Sequence, residues 1–316
     1  MQALITGAGG FVGDHLCTFL LDHTDWEILG TVYPEPAADA NPHPRLHLVP
    51  ADLRDASRVL DLVADGTPDV IFHLAAMSSV SASFEHPWET LENNICAQLN
   101  ILEAVRQAGT SSRVLVIGSN EEYGKPGEDE LPITEETPLR PQSPYAVSKV
   151  TQDMLGLQYH LAYGIDVVRL RPFNHTGPGQ SPRFVVPAFA SQVARIEAGL
   201  QEPVLFVGNL EVWRDFTDVR DMVRAYALAA TEAESGEVYN LASGQPQSIR
   251  EMLESLLALS PVEIRVEVDP DRYRPADMPV AYGSAEKFHR HTGWEPEIPF
   301  EQTLEDVLMY WRGEVE

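Results

Sequence analysis

Short apolar runs recur through the first half of the chain, and amphipathic stretches separate them. Ala3–Thr6, Glu27–Val32, Val70–Leu74, Arg113–Gly118 and Asp166–Leu170 are dense in Val, Ile and Leu with little polar alternation. That is the pattern of strands covered on both faces. Between them, Leu91, Ile95, Leu99, Leu102 and Val105 recur at steps of three and four. This spacing predicts a helix over Trp88–Ala108, closed by Gly109 as a C′ glycine. Strand, helix, strand in repetition predicts a parallel sheet with right-handed crossovers, a doubly wound α/β fold. After about residue 171 the texture changes: Pro and Gly cluster in Arg171-Pro-Phe-Asn-His-Thr-Gly-Pro-Gly and apolar pieces become short. Residues 1–170 are therefore expected to form a dinucleotide-binding domain. Residues 171–316 are expected to form mainly a smaller mixed α/β substrate lobe, with segments around 213–240 returning to the first domain. Tyr33–Pro50, with five prolines, reads as a surface loop.

Composition narrows the partners. Lys plus Arg number 22 and Asp plus Glu 48, a formal net charge of −26 over 316 residues. A surface that acidic repels nucleic acid and anionic lipid, so an anionic ligand must be held by local cations and backbone amides. Two cysteines, Cys17 and Cys96, without metal-type spacing, argue against a disulfide scaffold or a zinc ribbon. No stretch approaches the roughly 20 apolar residues of a membrane span, and Met1-Gln-Ala-Leu-Ile runs into the first strand without a basic leader. A soluble, cytoplasmic protein is expected. His73, His160, His289 and His291 lack metal-ligand spacing and read as packed or solvated side chains.

Thr6-Gly7-Ala8-Gly9-Gly10-Phe11-Val12-Gly13 follows the first strand and opens the first helix. Gly7, Gly10 and Gly13 have the spacing that a dinucleotide loop needs: a tight turn, close backbone approach to a pyrophosphate, and close helix–strand packing. The helix opening at Phe11, Val12 and Gly13 then aims amides at the phosphates. The second strand ends Gly30-Thr31-Val32-Tyr33, with neither the acid that takes ribose hydroxyls nor the arginine that takes a 2′-phosphate. No Lys or Arg precedes Arg45, a slight lean toward NAD(H) within NAD(P)H. Asp52, with Leu53 beside it, could accept from the adenine amine or could cap a helix.

Tyr145 and Lys149 stand four apart at the start of a long helical pattern, which puts them on one face a turn apart. A free phenol near pKa 10 is a poor acid–base group at neutral pH; a neighbouring ammonium would lower it. Ser119, just past a buried strand, emerges at the carboxyl end of the sheet, where open α/β folds bind ligands.

Gly7–Gly13, Phe72-His-Leu-Ala-Ala76, Gly118-Ser-Asn-Glu-Glu-Tyr-Gly124 and Tyr145-x-x-x-Lys149 together resemble the extended short-chain dehydrogenase/reductase family of nucleotide-sugar enzymes, over nearly the whole chain. The resemblance implies a Rossmann-type fold, with Ser119, Tyr145 and Lys149 as the catalytic trio. It also implies that Lys149 reaches the nicotinamide ribose, that Ala75 and Ala76 line the cofactor cleft, and that the protein is a homodimer paired through two helices per subunit, for which 88–108 and 145–163 are candidates. The runs 171–180, 207–221 and 271–277 resemble the GDP-4-keto-6-deoxy-D-mannose reductases, which form GDP-D-rhamnose, with GDP-mannose 4,6-dehydratases next. The implied substrate is a GDP-linked 4-keto-6-deoxyhexose whose C4 carbonyl is reduced. Arg214 and Arg274 are expected to clamp the diphosphate, since bidentate guanidinium contacts suit phosphate oxygens, and Asn174 to offer its amide to a phosphate or sugar oxygen. Glu121 keeps the dehydratase alternative open, because dehydratases of this family use a glutamate there as acid/base. A 4-epimerase and a non-catalytic dinucleotide-binding protein are the lesser alternatives.

Overall fold

The computed structural model describes residues 1–33, 43–270 and 279–315, and every count and absence below refers to them. β1 (Gln2–Thr6), β2 (Glu27–Val32), β3 (Leu46–Pro50), β4 (Val70–His73), β5 (Arg113–Ile117), β6 (Val167–Pro172) and β10 (Val238–Leu241) form one sheet in the order β10-β6-β5-β4-β1-β2-β3. All its pairings are parallel. The expected doubly wound α/β sheet is therefore present. Strand order reverses between β1 and β4, and in such sheets ligands bind outside the carboxyl ends of the strands at that point.

Alternation along the buried strands divides the interior in two. From β1, Ala3 and Ile5 join Leu16, Leu20, Met222 and Tyr226 of α1 (Phe11–His23) and α7 (Val219–Glu232). Leu4 points the other way, toward Val59, Ile101, Val105 and Tyr159 of α2 (Ala56–Gly66), α4 (Pro87–Ala108) and α5 (Pro144–Tyr163). A short α3 (Val80–Glu85) precedes α4. Gly109 closes α4 at φ 66°, as its position predicts.

One expectation is corrected. The Pro-rich stretch Tyr33–Pro50 is not loop throughout, because Leu46–Pro50 pairs with β2 as the edge strand β3. Leu46, Leu48 and Val49 are only half-buried, so the apolar run is weak, and Pro50 is tolerated at the end of an edge strand.

The second half builds a smaller unit. β9 (Trp213–Asp218) pairs with β11 (Pro246–Ser248), β13 (Val280–Ala281) and β7 (Asn174–Thr176), while β8 (Val204–Val207) pairs with β12 (Arg265–Val268). Its core lies among α6 (Val185–Glu197), α8 (Ile249–Ala258) and α10 (Phe300–Val315). α9 (Glu286–Thr292) lies beside β10 and packs Phe288 into the first core. Of the stretch 213–240, α7 and β10 lie with the large sheet and β9 with the small one. No helix is long and apolar enough to cross a membrane.

α5 is fixed to the sheet by packing and by charge. A Cβ on Gly156 would stand 3.1 Å from Val116 and Val167, so glycine lets the helix lie close on β5 and β6. One turn earlier, the buried Asp153 accepts from Arg169 Nη1 through Oδ1 and from Arg171 Nε through Oδ2, each at 2.9 Å. Removing one partner of a buried ion pair strands charge in a dry interior. Asp153→Ala, which strands two arginines, is expected to cost about 3–5 kcal/mol. Urea unfolding checks this, and a loss below about 1 kcal/mol would refute the anchoring role.

Candidate active site

At the carboxyl end of β1 the chain turns through Gly7 at φ 73°, a left-handed conformation that glycine adopts without strain. A Cβ there would come within 3.0 Å of the Ala75 backbone, and one at Gly13 would overlap the Gly7 carbonyl oxygen. Gly10 caps α1 without a side-chain acceptor, so no cap occupies the first-turn amides of Phe11, Val12 and Gly13. An amide-lined cradle with no Cβ at its wall fits a pyrophosphate. Phe11 stacks on His175 at 6.4 Å between ring centroids, and His15 Nε2 lies 2.8 Å from the Pro178 carbonyl. The 175–178 loop thus rests on the opening of α1. Ala75 donates its N–H to Thr6 Oγ1 at 3.2 Å, which holds the segment carrying Ala75 and Ala76 beside the glycine turn.

Asp52 is not a helix cap. Asp55 caps α2, accepting from Ser57 N and Arg58 N, while both Asp52 oxygens hold the Arg54 guanidinium, which keeps the Asp52 carboxyl below its ordinary range. Leu53 is buried, and its carbonyl accepts from Asn100 Nδ2 at 2.8 Å.

The Ser–Tyr–Lys set converges. Ser143 caps α5 by accepting from Ala146 N, and Pro144 follows at the first helical position, so Tyr145 and Lys149 face the end of β5. Ser119, two residues beyond β5, accepts from Glu121 N at 3.2 Å, and its hydroxyl acts on Tyr145 so as to favour the phenolate. Lys149 Nζ donates to the Ile117 carbonyl at 2.9 Å and lies 5.8 Å from the Tyr145 ring centre. The electrostatics differ from the expected lowering of Tyr145 by Lys149. Burial raises Tyr145 above its ordinary range; Ser119 opposes this, while the charges of Glu121 and Glu122 add to it. Burial also pulls Lys149 down to about 8, and the Glu122 charge resists that fall.

Sequence reasoning missed Glu122, Asp153 and Arg171. Glu122 is fully buried, accepts from Ser119 N at 2.8 Å through Oε1, and brings Oε2 to 3.2 Å from Arg171 Nε. Arg171 also donates to Tyr123 Oη, which donates to Asn240 Oδ1. Two signals were available: Arg169 and Arg171 sit in an otherwise apolar central strand, and Asp153 continues the four-residue step of Tyr145 and Lys149.

Two of the expected substrate residues, Asn174 and Arg214, lie on paired strands. Asn174 starts β7 two residues past β6, and its Nδ2 donates to the Asp215 carbonyl at 3.2 Å. Arg214, on β9, is two positions from Phe216, the register partner of Asn174; its Nη1 donates to the Trp213 carbonyl at 2.9 Å. Arg274 and the run 271–277 lie outside the described residues.

A glycine cradle at the switch point of a doubly wound sheet, with a buried tyrosine and lysine one helical turn apart, defines a short-chain dehydrogenase/reductase. The chain belongs to the GDP-mannose 4,6 dehydratase family, whose model matches residues 4–307. It is 40% identical over 315 residues to GDP-6-deoxy-D-mannose reductase of Pseudomonas aeruginosa, covering 99% of this chain and 98% of that one. It is similar to the structure of RMD from Pseudomonas aeruginosa complexed with NADPH, with TM-score 0.88, 38% identity and 99% of each chain covered. The UDP-glucose 4-epimerase of Thermus thermophilus, complexed with NAD, gives TM-score 0.86 and 31% identity, again over 99% of each chain.

Gly13→Ala forces a Cβ into the turn. It is expected to abolish the rise in NADPH fluorescence on mixing with protein; unchanged binding would remove the cradle from the cofactor site.

Proposed function

We propose that the protein reduces the C4 keto group of GDP-4-dehydro-6-deoxy-D-mannose to give GDP-D-rhamnose with NAD(P)H. The relatives support this reading, above all the Pseudomonas aeruginosa reductase at 40% identity over the full chain. Within the site, the observation that carries it is the convergence of Ser119, Tyr145 and Lys149 at the end of β5, with Lys149 Nζ 5.8 Å from the Tyr145 ring centre. Burial, with the charges of Glu121 and Glu122, pushes the phenol up, which suits a group that donates a proton.

Gly7, Gly10 and Gly13, with the amides of Phe11 and Val12, would hold the pyrophosphate, and Ala75 and Ala76 the wall beside it. Asp52 and Leu53 would meet the adenine end and Lys149 the ribose nearest the reacting carbon. The bound cofactor supplies hydride. Tyr145, held by Ser119, gives its proton to the C4 oxygen, and the two hydroxyls stabilise the alkoxide as it develops. Asn174, Arg214 and Arg274 would meet the GDP moiety. The reading includes a cytoplasmic location, where reduced nicotinamide cofactor is regenerated.

Loss of absorbance at the reduced-nicotinamide band, dependent on the keto sugar, is the expected result with either NADH or NADPH. Tyr145→Phe should lower turnover by ~10²–10⁴-fold, and near-normal turnover would sink the assignment. Activity should also fall as pH rises through about 8, because Lys149 then loses its proton; an alkaline limb well above that would contradict it. Failure to oxidise cofactor, with GDP-mannose consumed instead, would transfer the function to a dehydratase using Glu121.

A homodimer through α4 and α5 is part of the reading. Trp88 is 75% exposed and Leu161 74%, with Leu99, Val147 and Met154 also exposed on these helices. Leu161→Arg is expected to convert a dimer to monomer in sedimentation at micromolar concentration. A wild-type monomer would end this part of the reading.

A further inference from the structure

We propose that Glu122 is a positioning residue for the reaction: its carboxyl group fixes the turn that carries the Ser119 hydroxyl, and from the same buried place it is coupled through charge to Lys149. The proposal rests on the reading of Ser119, Tyr145 and Lys149 as the reacting set and deepens it.

The geometry is specific. Glu122 lies in the 3-10 turn Asn120–Tyr123, which Ser119 caps. Its side chain folds back, and Oε1 accepts the Ser119 backbone N–H at 2.8 Å. Ser119 Oγ meanwhile accepts from Glu121 N, so hydroxyl and carboxylate together close a reciprocal capping box. A rotation of this turn would carry the Ser119 hydroxyl away from Tyr145. Gly118 is glycine for the same reason, because a Cβ there would overlap Glu122 Oε1. The carboxylate occupies space that any other residue at position 118 would fill.

The second role is electrostatic. Glu122 Oε2 is buried and has no hydrogen-bond donor among the described residues; Arg171 Nε at 3.2 Å is its ion-pair partner. Arg171 divides its charge between Glu122 and Asp153. The titratable groups that act on Lys149 are Tyr145 on α5, His73 on β4 and Glu122 in the turn. Burial drives His73 down to about 3, so it stays neutral. Asp153 is committed to the two arginines. Burial, and after it the Asp153 charge, push Glu122 up to about 8, while Arg171 and Lys149 oppose that rise; when ionised, Glu122 in turn supports the Lys149 ammonium. A carboxyl raised by burial beside a lysine lowered by burial gives two groups that titrate in one range and influence each other.

The chain contains three lysines, Lys125, Lys149 and Lys287, so protein labelled with ¹³C at lysine Cε gives three signals, and Lys149→Arg identifies the one of interest. In the unaltered protein the Lys149 signal should titrate near 8 in two steps. In Glu122→Gln, which keeps an acceptor for Ser119 N but no charge, a single step should fall lower by about one unit. A single-step curve in the unaltered protein, or an unshifted midpoint in the variant, overturns the electrostatic role, and the first needs no variant to fold. Glu122→Asp keeps the charge but shortens the reach to Ser119 N. It should leave the Lys149 titration in place and lower kcat by ~10-fold or more with little change in KM for NADPH; an unchanged kcat overturns the positioning role. The titration requires no substrate, so its outcome stands apart from whether the keto sugar is the one reduced.

Discussion

One aspartate between two arginines fixes the geometry on which the site depends. Asp153 on α5 takes Arg169 and Arg171 from β6, with all three side chains buried. The cost of burying those charges is recovered only if the fork geometry is kept, so α5 has one depth and one rotation against the sheet. Tyr145 and Lys149 lie two turns and one turn before Asp153 on the same face, and inherit that rotation. Arg171 then reaches past Asp153 to Glu122 and Tyr123, which ties the turn after β5 to the same anchor. Ser119 on a loop and Tyr145 on a helix are thereby referred to a common strand.

The acidic balance of the chain shapes the other half of the site. With a net charge of −26, a dinucleotide or nucleotide sugar approaches against the overall field. Several cations are already engaged: Arg54 with Asp52, Arg140 with Glu130, and Arg220 with Asp218 and Asp306. Arg45 commits its guanidinium to the carbonyls of Leu21, Thr24 and Trp26. The glycine turn and α1 contain neither Lys nor Arg. Pyrophosphate binding there falls to backbone amides and the helix dipole, which act at short range and are insensitive to net charge. Glycine at positions 7 and 13 leaves that turn without a Cβ where the Ala75 backbone and the Gly7 carbonyl approach.

The large sheet was legible because strands covered on both faces must be apolar throughout, and β1, β2, β4, β5 and β6 are. β3 was not, because an edge strand needs only half an apolar pattern and its prolines disguised even that. The grouping of Ser119, Tyr145 and Lys149 was legible from the four-residue spacing, the strand end and the upstream glycine loop taken together, since a helix turn and a strand end fix where such side chains emerge. Glu122 was not: only the fold shows that Glu121 and Glu122 differ, one half-buried and one wholly enclosed. Arg169 and Arg171 carried the opposite lesson. Charges inside a central strand demand buried partners, and that demand was the available clue to Asp153. The pairing of β7 with β9, which brings Asn174 near Arg214, joins segments some forty residues apart and left no local trace.

The direction of the reaction turns on the same electrostatics. A dehydratase or an epimerase begins by oxidising C4, so its tyrosine must first be a phenolate able to take the hydroxyl proton. A positively charged oxidised nicotinamide beside the ring helps create that phenolate. A reductase begins with a neutral nicotinamide and needs the proton already on the phenol. In this site burial, Glu121 and Glu122 all favour the protonated tyrosine, and only Ser119 opposes them. Lys149 is turned to the Ile117 carbonyl, where it can hold a ribose while leaving the phenol its proton. On the proposed reading, Glu121 has a use in a reductase that requires no elimination of water: its charge adds to the burial that raises Tyr145.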